Sequence, residues 1–218
     1  MQNKMIRNLG VLALGAMLVL SGAAQAETGH KHDHAHKHDS KSDVYKGYFE
    51  DAQVKDRPIS DWAGDWQSVY PLLVSGKLDG VMAHKAESGD KTAAEYRAYY
   101  DTGYKTDVNR ITIEGNKVTF YRGDKAVSGD YADDGHEVLT YAKGNRGVRF
   151  VFKKLSGDAE APGFIQFSDH KIAPELSDHY HLYWGDDRTA LLSEMEHWPT
   201  YYPSRLSADE IVEEMQAH

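Results

Sequence analysis

The sequence predicts a mostly β chain with added helices (α+β), its short antiparallel strands closing into a small barrel or stacking as a sandwich. Three observations carry this. Past Asp107 apolar residues recur with a period of two, as in Ile111 and Ile113, then Val118 and Phe120. These segments are short and joined by turn signals such as Gly115-Asn116 and Lys143-Gly144-Asn145-Arg146. Before and after them the spacing changes to three and four, the period of a helix. A length of 218 residues suits one domain, and 40% hydrophobic with 11% aromatic residues can fill a core.

The chain opens on an address. Lys4 and Arg7 give a positive start, residues 11–20 are an apolar run broken only by Gly15, and Ala24-Gln25-Ala26 is a small-residue cleavage site. That combination predicts a secretory signal peptide over residues 1–26, and hence export. The run is too short to span a bilayer, and no later segment reaches about 18 apolar residues, so no membrane partner is expected.

Residues 27–43 read ETGHKHDHAHKHDSKSD. His30, His32, His34, His36 and His38 fall on every second position, with hardly an apolar side chain between them. Such a stretch cannot bury enough surface to offset its ordering entropy, so it is expected to be disordered without a ligand. Imidazole is the commonest metal ligand near neutral pH, and Asp33 and Asp39 add oxygen donors. The segment therefore reads as a metal-binding arm.

Composition excludes other chemistries. Lys+Arg 25 against Asp+Glu 34 gives a net charge of −9, which argues against a nucleic-acid partner. Cys is 0, so disulfides, thiolate metal sites and Cys nucleophiles are ruled out. Metal chemistry here must use His and carboxylates.

A single globular domain is expected over residues 44–218. Ser60 or Asp61 is placed to cap a short helix, and residues 77–86 and 91–104 are expected to be helical. Within the latter, Ala93, Tyr96, Tyr99 and Tyr100 form a stripe that reads as core. Beyond the first hairpin, residues 138–141, 147–152, 163–167 and 179–184 are expected strands. Residues 189–197 read as a helix stopped by Pro199. Ser207-Ala208-Asp209-Glu210 is a capping box for a last helix through Gln216.

Three histidines then stand at ligand spacing. Residues 164–170 read as a strand on which Phe164, Gln166, Ser168 and His170 share a face. Residues 171–178 turn the chain, and His179 and His181 project together from the next strand, about 7 Å apart. If the strands pair antiparallel, His170 approaches the same pocket, and a barrel mouth would preorganise the three. A trigonal face of three imidazoles suits tetrahedral zinc with a fourth position open to water, a carboxylate or a histidine of the arm. Asp169 could orient His170 as an acceptor or simply be a turn residue. His84, His136, His197 and His218 are scattered and suit structural or solvent roles. Glu194, Glu196 and the acidic tail read as solvated helix faces, and Trp62, Trp66, Trp184 and Trp198 as core and rim.

Longer motifs carry a family resemblance. These are Ile59-Ser60-Asp61-Trp62 with Gly64-Asp65-Trp66-Gln67-Ser68-Val69-Tyr70-Pro71-Leu72-Leu73 and Ser75-Gly76-Lys77-Leu78-Asp79, and Gly163-Phe164-Ile165-Gln166-Phe167-Ser168-Asp169-His170 with Ser177-Asp178-His179-Tyr180-His181. The ending Leu192-Ser193-Glu194-Met195-Glu196-His197-Trp198-Pro199-Thr200-Tyr201-Tyr202-Pro203 belongs with them. Together they resemble the ZinT (YodA) family of metal-binding proteins over nearly the whole mature chain. The resemblance implies a calycin, lipocalin-like antiparallel β-barrel with added helices, and Gly64-Asp65-Trp66 looks like the lipocalin-type Gly-x-Trp. It implies zinc binding in the periplasm under zinc limitation, with cadmium and other divalent ions also bound. It implies transfer of zinc to ZnuA, the substrate-binding protein of the zinc importer. The family's three metal histidines fall on His170, His179 and His181. The Cys pair of its best-known members has no counterpart here.

The expected function is thus a periplasmic zinc-binding protein that scavenges or shuttles metal and is not an enzyme. The trio is read as the tight site and the arm as an auxiliary collector. Two alternatives stay open: a zinc hydrolase or hydratase built on the three histidines, since such a site activates water, and a lipocalin-like small-molecule carrier.

Overall fold

The computed structural model describes residues 40–217. The expected signal peptide, the five histidines of the arm and His218 lie outside the described residues.

Eight antiparallel strands pair in chain order, and the last returns to the first, so the sheet closes into a barrel. They are β1 (Gly64–Ser68), β2 (Arg110–Glu114), β3 (Lys117–Arg122), β4 (Lys125–Thr140), β5 (Arg146–Gly157), β6 (Phe164–Ser168), β7 (Tyr180–Gly185) and β8 (Thr200–Pro203). Helices α1 (Ser40–Tyr45), α2 (Tyr70–Val74), α3 (Asp79–Ser88), α4 (Ala93–Tyr104), α5 (Arg188–Leu192) and α6 (Ala208–Gln216) are added outside the sheet sequence. Closure leaves no free sheet edge. Of barrel and sandwich, the chain takes the barrel.

Alternation along the strands sorts side chains into two cores. Trp66, Ile111, Val118, Phe150, Phe167 and Leu182 point inward, with Trp62 among them from a one-turn 3-10 helix at Ile59–Trp62. Trp62 is wholly buried, stacks on Phe167 at 4.6 Å, and its carbonyl accepts from the Trp66 indole at 2.8 Å. The second core joins Val81 and Met82 of α3, Tyr104 of α4, Ile211 and Met215 of α6, and Tyr202 from the outer face of β8. One patch of the barrel's outer wall is therefore roofed by α3, α4 and α6.

Several elements match expectation. The β2–β3 hairpin turns at residues 115–116, α3 and α4 occupy the predicted helical stretches, and the Ser207/Glu210 capping box starts α6. Others differ for identifiable reasons. Strand β4 runs 16 residues, far beyond the expected 138–141. Register shifts at 130/131 and between 133 and 136 break its alternation, and Gly135 takes a positive φ of 82° where the Asp133 carboxylate accepts its amide. Helix α5 ends at Leu192 rather than near His197, because the Glu194 carboxylate takes the amides of Glu196 and His197. Strand β8, which follows Pro199 and ends at Pro203, is not among the expected strands, yet it closes the barrel between β1 and β7.

The roof fits closely at Gly103. Its carbonyl accepts from the Trp198 amide at 2.7 Å, and a Cβ there would lie 2.2 Å from the Trp198 ring. Helix propensity alone favours alanine by about 1 kcal/mol, whereas overpacking costs about 1–3 kcal/mol. Gly103→Ala is therefore expected to lower stability in urea unfolding; a gain would mean that Trp198 yields freely.

Candidate metal centre

His181 lies on β7 opposite Ser168 of β6 and Thr200 of β8. Its neighbours Tyr180 and Leu182 point into the barrel, so His181 points out. His179 precedes β7 on the same side, and His170 follows β6. The trio converges, but on the outer wall beneath the helical roof, not in the barrel mouth. Aromatic side chains already fill the interior, and the free space lies between wall and helices.

A cavity of about 270 Å3 is lined by all three histidines, with Lys85 of α3, Tyr100 and Tyr104 of α4 and Met215 of α6 on the facing side. Ring centres stand 5.5 Å apart for His170 and His179 and 6.1 Å for His179 and His181. Imidazoles on one tetrahedral zinc at about 2.0–2.1 Å would place ring centres about 5 Å apart. Among the described residues no set of His, Asp and Glu already stands at closed ligating distance. For these two pairs, loading asks the rings to close by about an ångström or less, within the reach of small side-chain rotations.

For His170 and His181 the hydrogen bonds select which ring nitrogen is left to accept or ligate. Thr200 Oγ1 donates to the Trp198 carbonyl at 2.9 Å, so its only proton is committed and it must accept from His181 Nδ1 at 2.7 Å. His170 Nδ1 lies 3.1 Å from the Tyr45 carbonyl, which can only accept. Both rings therefore carry their proton on Nδ1 and keep Nε2 as the basic nitrogen, the arrangement that orients metal-binding histidines. Stacking fixes the ring planes: His170 lies on Tyr45 at 3.9 Å and His179 on Tyr202 at 5.0 Å. Burial pushes the His181 pKa down to about 3, with the His170 and Arg149 charges adding to the shift. His181 is thus a neutral ligand-ready imidazole across the physiological range. Burial raises Tyr45 and Tyr100 to about 12, leaving both as neutral phenols.

Asp169 is the turn residue of the two readings offered for it. It accepts from the Lys171 amide and from Arg57 Nη1 at 2.7 Å, while the partner of His170 is the Tyr45 carbonyl. Arg57 is the residue that sequence reasoning missed. Its guanidinium is buried over the Trp62 ring at 4.1 Å. Nε donates to Asp61, Nη1 to Asp169 and the Lys171 carbonyl, and Nη2 to the Glu175 carbonyl at 2.6 Å. Asp61 in turn accepts the Glu175 amide at 2.9 Å. One side chain therefore pins the loop 169–179 that carries His170 and His179. Its only sequence trace is an Arg four residues before an Asp.

Of the scattered histidines, the three that are described pair with carboxylates outside the trio. His84 pairs with Glu87, His136 with Asp56 at 2.5 Å, and His197 with Glu194. A second cavity of about 350 Å3 shares Tyr45, His170, His179 and Tyr202 with the first, and Lys171, Asp178, Arg205 and Glu214 give it a charged rim.

A model of the family described as "ZinT (YodA) periplasmic lipocalin-like zinc-recruitment" matches residues 40–218. The chain is 47% identical to the probable metal-binding protein YrpE of Bacillus subtilis (strain 168), over 97% of this chain and 98% of that one. It is 54% identical to the zinc-binding protein AdcA of Streptococcus pyogenes serotype M1 over 83% of its length, but spans only 36% of AdcA. Among solved structures, the Zn(II)-bound ZinT-like domain of Streptococcus pneumoniae AdcA is similar at a TM-score of 0.77 and 50% identity, covering 79% of this chain and 97% of that one. Zn(II)-bound AdcA from the same species gives 0.78 at 50% identity, covering 80% of this chain and 38% of AdcA.

Proposed function

The chain belongs to the ZinT (YodA) family, and from that membership we propose that it is a periplasmic zinc-binding protein that scavenges the ion under shortage on His170, His179 and His181. The observation that carries this reading is the pair of hydrogen bonds holding His170 and His181 as Nδ1–H tautomers, with Nε2 left to ligate. The Zn(II)-bound structure of a ZinT-like domain supports zinc as the cargo. In this reading His30, His32, His34, His36 and His38 collect zinc, cadmium or other divalent ions and pass them to the trio. The ion then leaves for the substrate-binding protein of an importer, of the ZnuA type. In the streptococcal AdcA proteins a region like this chain is one part of a longer zinc-binding protein, which supports passage between two binding units. The carrier alternative loses ground because side chains fill the barrel interior. No helix among the described residues is long and apolar enough to cross a membrane.

The test is a zinc titration of the mature chain, a His179→Ala/His181→Ala variant and a chain lacking residues 30–38. The double variant is expected to lose the tight step and keep the weaker ones. The deletion is expected to lower stoichiometry while sparing the tight step. Full tight affinity in the double variant would overturn the assignment of the trio.

A further inference from the structure

We propose that the chamber takes its metal together with a small organic carboxylate, one end of which completes the ion's coordination while Lys85 faces it as counter-charge. This rests on the trio being the metal site. Three neutral imidazoles bring no charge to balance a dication, and no Asp or Glu lines this cavity among the described residues; Asp178 and Glu214 border the second cavity, which shares His170 and His179 with it. Instead the first cavity holds an ammonium. Lys85 is half-buried, and its ammonium makes no hydrogen bond or ion pair among the described residues; it stands 5.9 Å from the centre of the Tyr100 ring. Like charges sharing a partly dry space repel strongly, and an anion between them reverses the sign of both interactions.

Size and lining point to the class of anion. A water occupies about 30 Å3 of liquid, so 270 Å3 is far more than one metal-bound water needs. Phosphate sites gather several N–H donors or an Arg fork, whereas here a single ammonium stands among aromatic rings. Tyr99 against Trp198 and Tyr100 against Tyr104, each pair at 4.9 Å, offer apolar walls for a short carbon skeleton.

The experiment measures zinc affinity by chelator competition at constant ionic strength, with and without millimolar acetate or succinate, and follows the Co(II)-loaded protein by its visible spectrum. In wild type the carboxylate is expected to tighten zinc about tenfold, within the usual coupling range of about 5–150-fold, and to shift the Co(II) bands. In Lys85→Gln, an exchange of one good helix former for another, the gain should fall to about twofold or less. The chain lacking residues 30–38 should keep the wild-type gain. The inference fails if wild type shows no coupling, if Lys85→Gln retains it, if inorganic phosphate matches the carboxylates, or if coupling emerges only when the arm is removed. Tight zinc surviving in His179→Ala/His181→Ala would instead sink the site itself, so the two failures are distinguishable.

Discussion

Arg57→Met is expected to lower the free energy of unfolding by about 3–5 kcal/mol, the usual cost of removing one partner from a buried ion pair. Arg57 is 1% exposed, and its loss strands the Asp61 and Asp169 carboxylates with the Lys171 and Glu175 carbonyls it now serves. Methionine keeps most of the apolar stem over Trp62, so the change reports the polar network rather than a cavity. Urea unfolding with a matched m-value is the measurement. The surface fork from Arg110 to Asp65 provides the contrast: both partners are about half exposed, and its removal should be nearly silent. Because the pinned loop carries His170 and His179, zinc affinity should fall in the Arg57 variant and hold in the Arg110 one. A loss below about 1 kcal/mol would show that the network contributes little beyond an ordinary surface pair.

Acid should destabilise the metal-free protein through His181 in particular. Its folded pKa is about 3, while an unfolded histidine titrates near 6.5. Between those values the unfolded chain binds the extra proton, so stability falls as pH drops through 6.5 toward 3. One proton contributes a slope of roughly 1.4 kcal/mol per pH unit. His181→Asn, whose amide can still donate to Thr200, should remove one proton's worth of that slope. Carboxylates held low by hydrogen bonds, such as Glu95 and Glu210 at their capping boxes, also lose stability on acidification, but equally in both proteins. Unfolding free energies across this window decide it: identical slopes would mean that His181 is protonated in the folded state.

The trio is legible in the sequence because strand alternation is a strict rule: His179 and His181 share a face whatever surrounds them, and a short antiparallel return brings His170 back beside them. Which face they share is not legible. Phe167 and Leu182 read as apolar in any register, and only the second core, built from distant Met82, Tyr104 and Ile211, makes the outer wall a buried place. Strand β4 is hidden by its bulges, β8 by its prolines, and the end of α5 by a carboxylate competing for backbone amides. Arg57 is hidden for a different reason. A single Arg has no period, and its partners in the pinned loop lie more than a hundred residues away. Local rules thus bring the three histidines together, while long-range packing decides which face of the sheet they share and what holds the loop.

Tyr45 has a kinetic consequence. It closes α1, lies flat on His170 and hands that ring its carbonyl, so the backbone leading to the arm is moored at the chamber itself. Residues 30–38 lie 7–15 positions upstream of this mooring, within about 50 Å even at full stretch. One imidazole confined to such a sphere has a local concentration on the order of millimolar. Were the arm and the trio to bind metal as proposed, exchange between them would be a first-order event, insensitive to how dilute the protein is.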